Sequence, residues 1–149
     1  MSQSLAKIYI HLVFSTKKRE SYLQDLAVRQ ELHAYMAGIL EHRQSHALAI
    51  GGTENHVHVL CLLSKNESLA ALVAELKRSS SLWIKAKHRL PFQWQAGYGV
   101  FSVSHTVVTR VCQYIVNQVE HHRKISYQDE LRELLRTQGI EWDEQYIWD

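Results

Sequence analysis

The chain is poor in the residues that characterise secreted and membrane-bound proteins. Its 149 residues include two cysteines, one proline and six glycines. The two cysteines, Cys61 and Cys112, lie in apolar segments and cannot form a disulfide framework, so we expect free thiols and a cytoplasmic location. No apolar run approaches the roughly 18 residues of a membrane-spanning helix. The composition therefore argues against a disulfide-rich scaffold and a membrane protein, and we expect no membrane partner.

No tract rich in proline or glycine divides the chain, which predicts a single domain over residues 1–149 with a sizeable core. Charge is distributed unevenly within it. Residues 126–149 include seven acidic and two basic side chains, whereas residues 1–125 carry a net charge of +7. We expect residues 126–149 to form an acidic C-terminal helical extension. The basic remainder suits a polyanionic partner, although a solvated surface of uneven charge is the simpler alternative.

Histidine, in contrast, is abundant, with ten residues. The apolar alternation over residues 54–63 predicts a strand, on which His56 and His58 share one face because side chains alternate along a strand. The apolar residues between them point to the opposite face. Neutral imidazole is the commonest metal ligand in proteins, so this pair is the beginning of a metal site.

Periodicity along the whole chain predicts an α+β fold. The order is strand, helix, strand, strand, helix, strand and helix, which is the split βαβ or ferredoxin-like arrangement of an antiparallel sheet with extra C-terminal helices. The first two helices cover one face of the sheet, and the face with the histidine pair is left for the third helix or a partner. We predict strands at 7–14, 45–50, 54–63 and 100–104, and helices at 26–43, 68–87, 105–123 and 128–138.

The predicted helix 105–123 carries Tyr114 and Gln118, which lie four residues apart and therefore on one face. A phenol, with a pKa of about 10, is a poor nucleophile unless a metal or base lowers the cost of losing its proton. The amide oxygen of Gln118 is a donor that Mg²⁺ or Mn²⁺ accepts. We therefore predict a metal held by His56, His58 and Gln118, with Tyr114 attacking a phosphodiester.

These residues match a known pattern. The triplet 56–58 has two histidines around a hydrophobic residue, and with Tyr114 and Gln118 the chain resembles the single-tyrosine HUH transposases of the insertion sequence 200-like family. The resemblance implies a ferredoxin-like core that cuts and rejoins single-stranded DNA through a 5′-phosphotyrosine with Mg²⁺ or Mn²⁺. It also implies recognition of hairpin ends and a homodimer. It assigns the metal to His56, His58 and Gln118 and the nucleophile to Tyr114.

Several basic residues are candidate DNA contacts on charge alone, because such contacts bind the phosphate backbone. These candidate DNA contacts are Lys17, Lys18, Arg19, Lys77, Arg78, Lys85 and Arg123.

A homodimer would cover the sheet face that the first two helices leave exposed.

Other interpretations stay open. The chain also fits the REP-associated tyrosine transposases, which are related to this family and process chromosomal palindromes. The same fold hosts nucleic-acid-binding modules without catalysis, and a metal-dependent phosphoesterase without a covalent intermediate is a third alternative. Within the site, His121 or His122 is placed to replace or supplement Gln118 at the metal.

Overall fold

The computed structural model describes residues 2–149; within this range no helix is both long enough and apolar enough to cross a bilayer. Four strands and five helices follow one another in the predicted order, with short 3₁₀ turns at Lys17–Arg19 and His105–Val107. The strands are β1 (Tyr9–Ser15), β2 (Ala47–Gly52), β3 (His56–Leu62) and β4 (Gly99–Val103). The helices are α1 (Leu26–His42), α2 (Leu69–His88), α3 (Val108–Val116), α4 (Gln118–His121) and α5 (Tyr127–Thr137).

The sheet is antiparallel with the strand order β2-β3-β1-β4, which confirms the predicted ferredoxin-like fold. β1 and β3 occupy its centre, and their register pairs Ser15 with His56 and Val13 with His58. The histidine strand is thus held on both sides by neighbouring strands. The same register brings His11 of β1 close enough to His58 for a side-chain hydrogen bond.

One face of the sheet packs against α1 and α2. Asp25 caps α1 by accepting the backbone N–H of Ala27, and Ser68 caps α2 in the same manner. The buried positions then recur at helical spacing, as Leu32, Met36 and Leu40 do in α1. These side chains form the main core with the apolar residues of β1 and β3 that alternate with the histidines.

The opposite face of the sheet is covered by the chain itself. Ile115 of α3 packs on Tyr9 and Leu60, and α5 packs its apolar stripe on Val13 and Phe101. The predicted acidic extension thus contributes a helix to the core. The exposed apolar face that favoured a homodimer is absent from the part of the chain that the structure describes, so only the resemblance now supports that prediction.

The predicted helix 105–123 is interrupted, which corrects the prediction of a continuous helix. α3 ends at Val116, Asn117 adopts φ −100° and ψ 22°, and α4 begins at Gln118. Tyr114 and Gln118 therefore lie on two separate helices. Gln118 is nonetheless buried, and its Nε2 donates to the backbone carbonyl oxygen of Tyr114 at 3.4 Å, so it still lies one turn from the tyrosine.

α3 approaches β2 through a glycine. A Cβ atom added to Gly51 would lie 2.0 Å from the carbonyl oxygen of Ile115, a distance that real Cβ contacts do not show. Gly51 and Gly52 are part of β2, and the turn to β3 lies at residues 53–55. Gly51 thus sets how closely the Tyr114 helix can dock on the sheet.

We predict that Gly51→Ala destabilises the protein by about 1–3 kcal/mol, the usual cost of forcing extra volume into a packed contact. The methyl group would meet a backbone carbonyl, which cannot move without displacing α3. Gly38→Ala is the matched control, because a Cβ there meets nothing within 4 Å and alanine favours the helix. Urea unfolding measures both. Equal midpoints for Gly51→Ala and the wild type would show that α3 does not depend on this contact.

Candidate metal centre and nucleophile

β3 places His56 and His58 on the same face of the sheet, as predicted from their spacing. Both rings are buried, with exposures of 1% and 0%, and their centroids lie 5.3 Å apart. Because β3 is paired on both sides, the two rings are carried by a rigid element. The imidazole pair is therefore preorganised.

α4 brings the predicted third ligand to this pair. Gln118 Oε1 lies 3.0 Å from His56 Nε2 and 2.9 Å from His122 Nε2. Of the two histidines that were alternatives to Gln118, His122 thus joins the cluster alongside the amide. His121 lies at its edge, with Nε2 3.2 Å from Glu130 Oε2.

Glu130 of α5 is the residue that completes the cluster. Its exposure is 2%, and its Oε1 lies 2.9 Å from His58 Nε2 and 3.1 Å from His122 Nε2. The ligand atoms of His56, His58, His122 and Glu130 all lie within 4.8 Å of one another. A buried carboxylate surrounded by three imidazoles is a donor set that fits a divalent metal ion.

The hydrogen bonds around the cluster indicate which nitrogens face it with a lone pair. His122 Nδ1 is 2.8 Å from the carbonyl oxygen of Ile125, and His56 Nδ1 is 2.9 Å from Asn55 Oδ1. A carbonyl oxygen only accepts, so each Nδ1 carries a hydrogen. His122 Nε2 also donates, to Glu130 Oε1, so it offers a lone pair only where an ion takes the place of that proton. Both Nε2 atoms face the oxygen of Gln118. Lone pairs that converge on oxygens in this way suit a shared cation.

His11 contacts His58 through the ring nitrogen that points away from Glu130. Its Nε2 lies 2.8 Å from His58 Nδ1, and it is as buried as its neighbours. When His58 binds a metal through Nε2, its Nδ1–H donates to His11. Such outer partners fix the orientation of a metal-binding imidazole and increase its basicity. His11 is therefore placed to hold the His58 ring in a metal-binding orientation.

The electrostatics of the site keep His56 and Glu130 in their metal-binding forms. Burial, helped by the neighbouring His58, lowers the pKa of His56 to about 3, so this ring is neutral at physiological pH. Burial acts to raise the pKa of Glu130, but hydrogen bonds from His122 and His58 outweigh it and hold that pKa far below its ordinary value. The cluster therefore combines an ionised carboxylate with an imidazole that has a free lone pair.

Tyr114 contacts the same carboxylate. Its hydroxyl donates to Glu130 Oε2, whereas Glu130 Oε1 faces the histidines. Burial and the adjacent carboxylate raise the pKa of Tyr114 well above its ordinary value. The proton therefore stays on the phenol unless positive charge is brought close to it. The half-buried ring also lines open grooves on its outer side.

Tyr127 is a second tyrosine at the site. Its ring centroid lies 4.5 Å from that of His56, and the side chain is buried. Burial raises its pKa, with Glu130 adding to the effect. Its hydroxyl is enclosed and has no hydrogen-bond partner among the described residues, whereas the ring of Tyr114 lines open grooves.

The basic residues predicted to contact DNA are scattered. Lys17, Lys18 and Arg78 line a cleft of about 640 Å³. The Lys77 ammonium donates to the carbonyl oxygens of residues 95, 96 and 97 at 2.9, 3.2 and 2.6 Å, and burial lowers its pKa to about 8. That group holds a loop, and Lys77 also lines the same cleft, so its role as a DNA contact stays a prediction. Arg19 lies over the ring of Trp148, Lys85 is exposed on α2, and Arg123 is paired with Glu120 at 3.1 Å.

Sequence reasoning missed Glu130. In the sequence it is one acidic residue among several on an amphipathic helix, where carboxylates ordinarily face solvent. The signal available was its position in the apolar stripe of Tyr127, Leu131 and Leu135, since a residue at that spacing faces the core.

Comparison with known proteins identifies one family. The family described as transposase IS200 like matches residues 4–118, and no curated protein matches the chain. A solved structure of a candidate transposase from Deinococcus radiodurans R1 is 25% identical, with a TM-score of 0.62 over 79% of this chain and 98% of that one. A REP-associated tyrosine transposase bound to a REP hairpin is 17% identical, with a TM-score of 0.58 over 81% and 74%, and this likeness concerns the fold alone. His122 and Glu130 lie beyond the matched residues.

We predict that the protein binds Mn²⁺ and that Glu130→Gln weakens binding by roughly 10- to 100-fold, the range that changes around metal ligands produce. The substitution keeps the shape of the side chain and removes its charge. Isothermal titration calorimetry measures the affinity without any need for activity. Glu133→Gln, on the exposed side of the same helix, is the matched control and should bind as the wild type does. Equal affinity for both variants would exclude Glu130 from the ligand set.

Proposed function

Since the chain belongs to the IS200-like transposase family, we propose that it cleaves and rejoins single-stranded DNA through a covalent 5′-phosphotyrosine on Tyr114. The contact that carries this proposal is the bond from the Tyr114 hydroxyl to Glu130, the carboxylate that also faces His56 and His58. A nucleophile and a metal cluster are thus joined through one side chain. That arrangement fits phosphoryl transfer better than it fits a packed core tyrosine.

The metal would be held by His56, His58 and Gln118, as the resemblance implies, with His122 and Glu130 added by this chain. Three imidazole nitrogens beside two oxygens favour Mn²⁺ over Mg²⁺, which prefers oxygen ligands. A bound divalent ion would polarise the phosphodiester and neutralise charge that develops on it.

The two oxygens of Glu130 have different roles in the proposed reaction. Oε1 belongs to the ligand cluster, while Oε2 holds the phenol and is the nearest acceptor for its proton. The low pKa of Glu130 and the high pKa of Tyr114 keep that proton on the phenol in the resting site. Deprotonation therefore accompanies attack. The phenolate oxygen bonds to phosphorus, the bond from phosphorus to O3′ breaks, and O3′ takes up a proton to leave as a 3′-hydroxyl.

Rejoining is the same chemistry reversed, with a 3′-hydroxyl displacing Tyr114 from phosphorus. All residues of the proposed site come from one chain, and Tyr114 reaches Glu130 within it. A homodimer, which the resemblance implies, is therefore not needed to complete the site. A cytoplasmic location agrees with a DNA substrate and with the free thiols of Cys61 and Cys112.

We propose single-stranded DNA with a hairpin as the substrate, because a solved protein of similar fold is bound to a REP hairpin. Lys17, Lys18 and Arg78 are suitable phosphate contacts, since they line one cleft and are exposed. The same comparison favours a second candidate, a REP-associated enzyme that processes chromosomal palindromes. The chemistry of Tyr114 is identical in both cases.

Tyr114→Phe should abolish the covalent adduct while leaving folding and metal binding intact, because only the hydroxyl is lost. A labelled hairpin with single-stranded flanks is incubated with protein and Mn²⁺, denatured, and examined for label that migrates with protein. Tyr146→Phe, an exposed tyrosine, is the control and should form as much adduct as the wild type.

Two outcomes would contradict the proposal in different ways. An undiminished adduct in Tyr114→Phe would assign the nucleophile to another residue. Cleavage without any adduct in the wild type would indicate a metal-dependent phosphoesterase that uses water, and binding without cleavage would indicate a non-catalytic nucleic-acid-binding module.

A further inference from the structure

An apolar groove of about 350 Å³ runs beside Tyr114, between the edge strand β4 and the helices α3 and α5. Its walls include Phe101, Val103, Val111 and Leu134, and we call it the β4 groove. His11 also lines it. The metal cluster and its ligands account for none of these apolar walls, so the groove is a separate feature on the outer side of the tyrosine.

A second, more polar depression of about 720 Å³ lies on the other side of Tyr114. Lys124, Gln113, Asn117 and the acidic Glu120 line it, and Arg110 and Tyr114 belong to both hollows. A strand that crosses Tyr114 therefore passes from a hollow with apolar walls to one lined by polar and charged side chains, with Arg110 between them. A nucleotide has the same division, with an apolar base face and an anionic phosphate.

Arg110 is placed where these two hollows meet. It is exposed and lies one turn before Tyr114 on α3, hence on the same helix face. Within residues 2–149 it has no carboxylate partner, whereas five other arginines do. Those five are Arg43, Arg78, Arg123, Arg132 and Arg136. A guanidinium without a partner at this position is available for a phosphate.

We propose that the β4 groove receives one unpaired nucleobase next to the scissile phosphate and that Arg110 binds an adjoining phosphate. This inference rests on the proposed function and adds a subsite to it. The groove is apolar enough to bury a base face, and the His11 ring gives the base edge a polar neighbour. Charge complementarity at Arg110 favours a nucleic acid over an apolar peptide or a second copy of this chain.

The first test measures binding, with no need for cleavage. Methyl NMR spectra of the Tyr114→Phe protein in Mg²⁺, which cannot form the adduct and keeps the ion available to the site, are recorded with a single-stranded pentanucleotide of mixed sequence and with an abasic pentamer of equal charge. Val103, Val111 and Leu134 should shift with the pentanucleotide. The abasic pentamer should bind about 5- to 150-fold more weakly, the effect of losing one stacked base, and should not shift these methyl groups.

Two pairs of variants separate the base from the phosphate. Gln138→Trp places a large ring at the edge of the groove, and Thr137→Trp, next to it but outside the groove, is its control. Gln138→Trp should weaken the pentanucleotide about as much as base removal does and leave the abasic pentamer unaffected. Arg110→Gln should weaken both ligands, whereas the control Arg136→Gln should change neither.

The outcomes distinguish this inference from the proposed function. If hairpin DNA is cleaved through Tyr114 but the groove methyl groups do not respond to the pentanucleotide, the subsite is refuted and the function stands. If the methyl groups respond but no DNA is cleaved, the subsite stands and the function fails. Groove shifts that depend on protein concentration without DNA would assign the groove to a second copy and overturn the inference.

Discussion

The structure of the site depends on one buried charge, the carboxylate of Glu130. An ionised group removed from water is costly unless polar partners surround it, and losing one partner of such a set is far more damaging than losing a surface pair. Here His58, His122 and Tyr114 all contact the carboxylate. One side chain therefore orders residues from β3, from α3 and from the end of α4.

The features that could be predicted from the sequence are those that follow from local periodicity and from the order of the elements. Strand alternation is sufficient to put His56 and His58 on one face, and the order of elements is sufficient to place that strand at the centre of the sheet. What could not be read locally was the helix break at Asn117, between Tyr114 and Gln118. The local signal for Glu130 is limited to its place in the apolar stripe of α5, and its burial depends on how that helix docks on the sheet.

Charge was the least reliable guide to function. Lys77 belongs to the basic set by type, yet its ammonium is used by three carbonyl oxygens inside the protein. Arg110 was not among the predicted contacts, because a single arginine on an amphipathic helix carries no signal of its own. What identifies it is its position, one turn from Tyr114 at the junction of two hollows, and the absence of a carboxylate beside it among the described residues.

The cluster also links separate parts of the fold, because its ligands come from β3, α4, α5 and, in His122, the segment between the two helices. An ion bound there would cross-link the sheet to the two helices that follow the tyrosine helix, so its binding free energy would also be docking free energy. Residues 122–126, which join α4 to α5, would then be held at both ends. Loss of the ion would first weaken the attachment of this segment, and the metal content of the protein would thus determine how firmly α5 is docked.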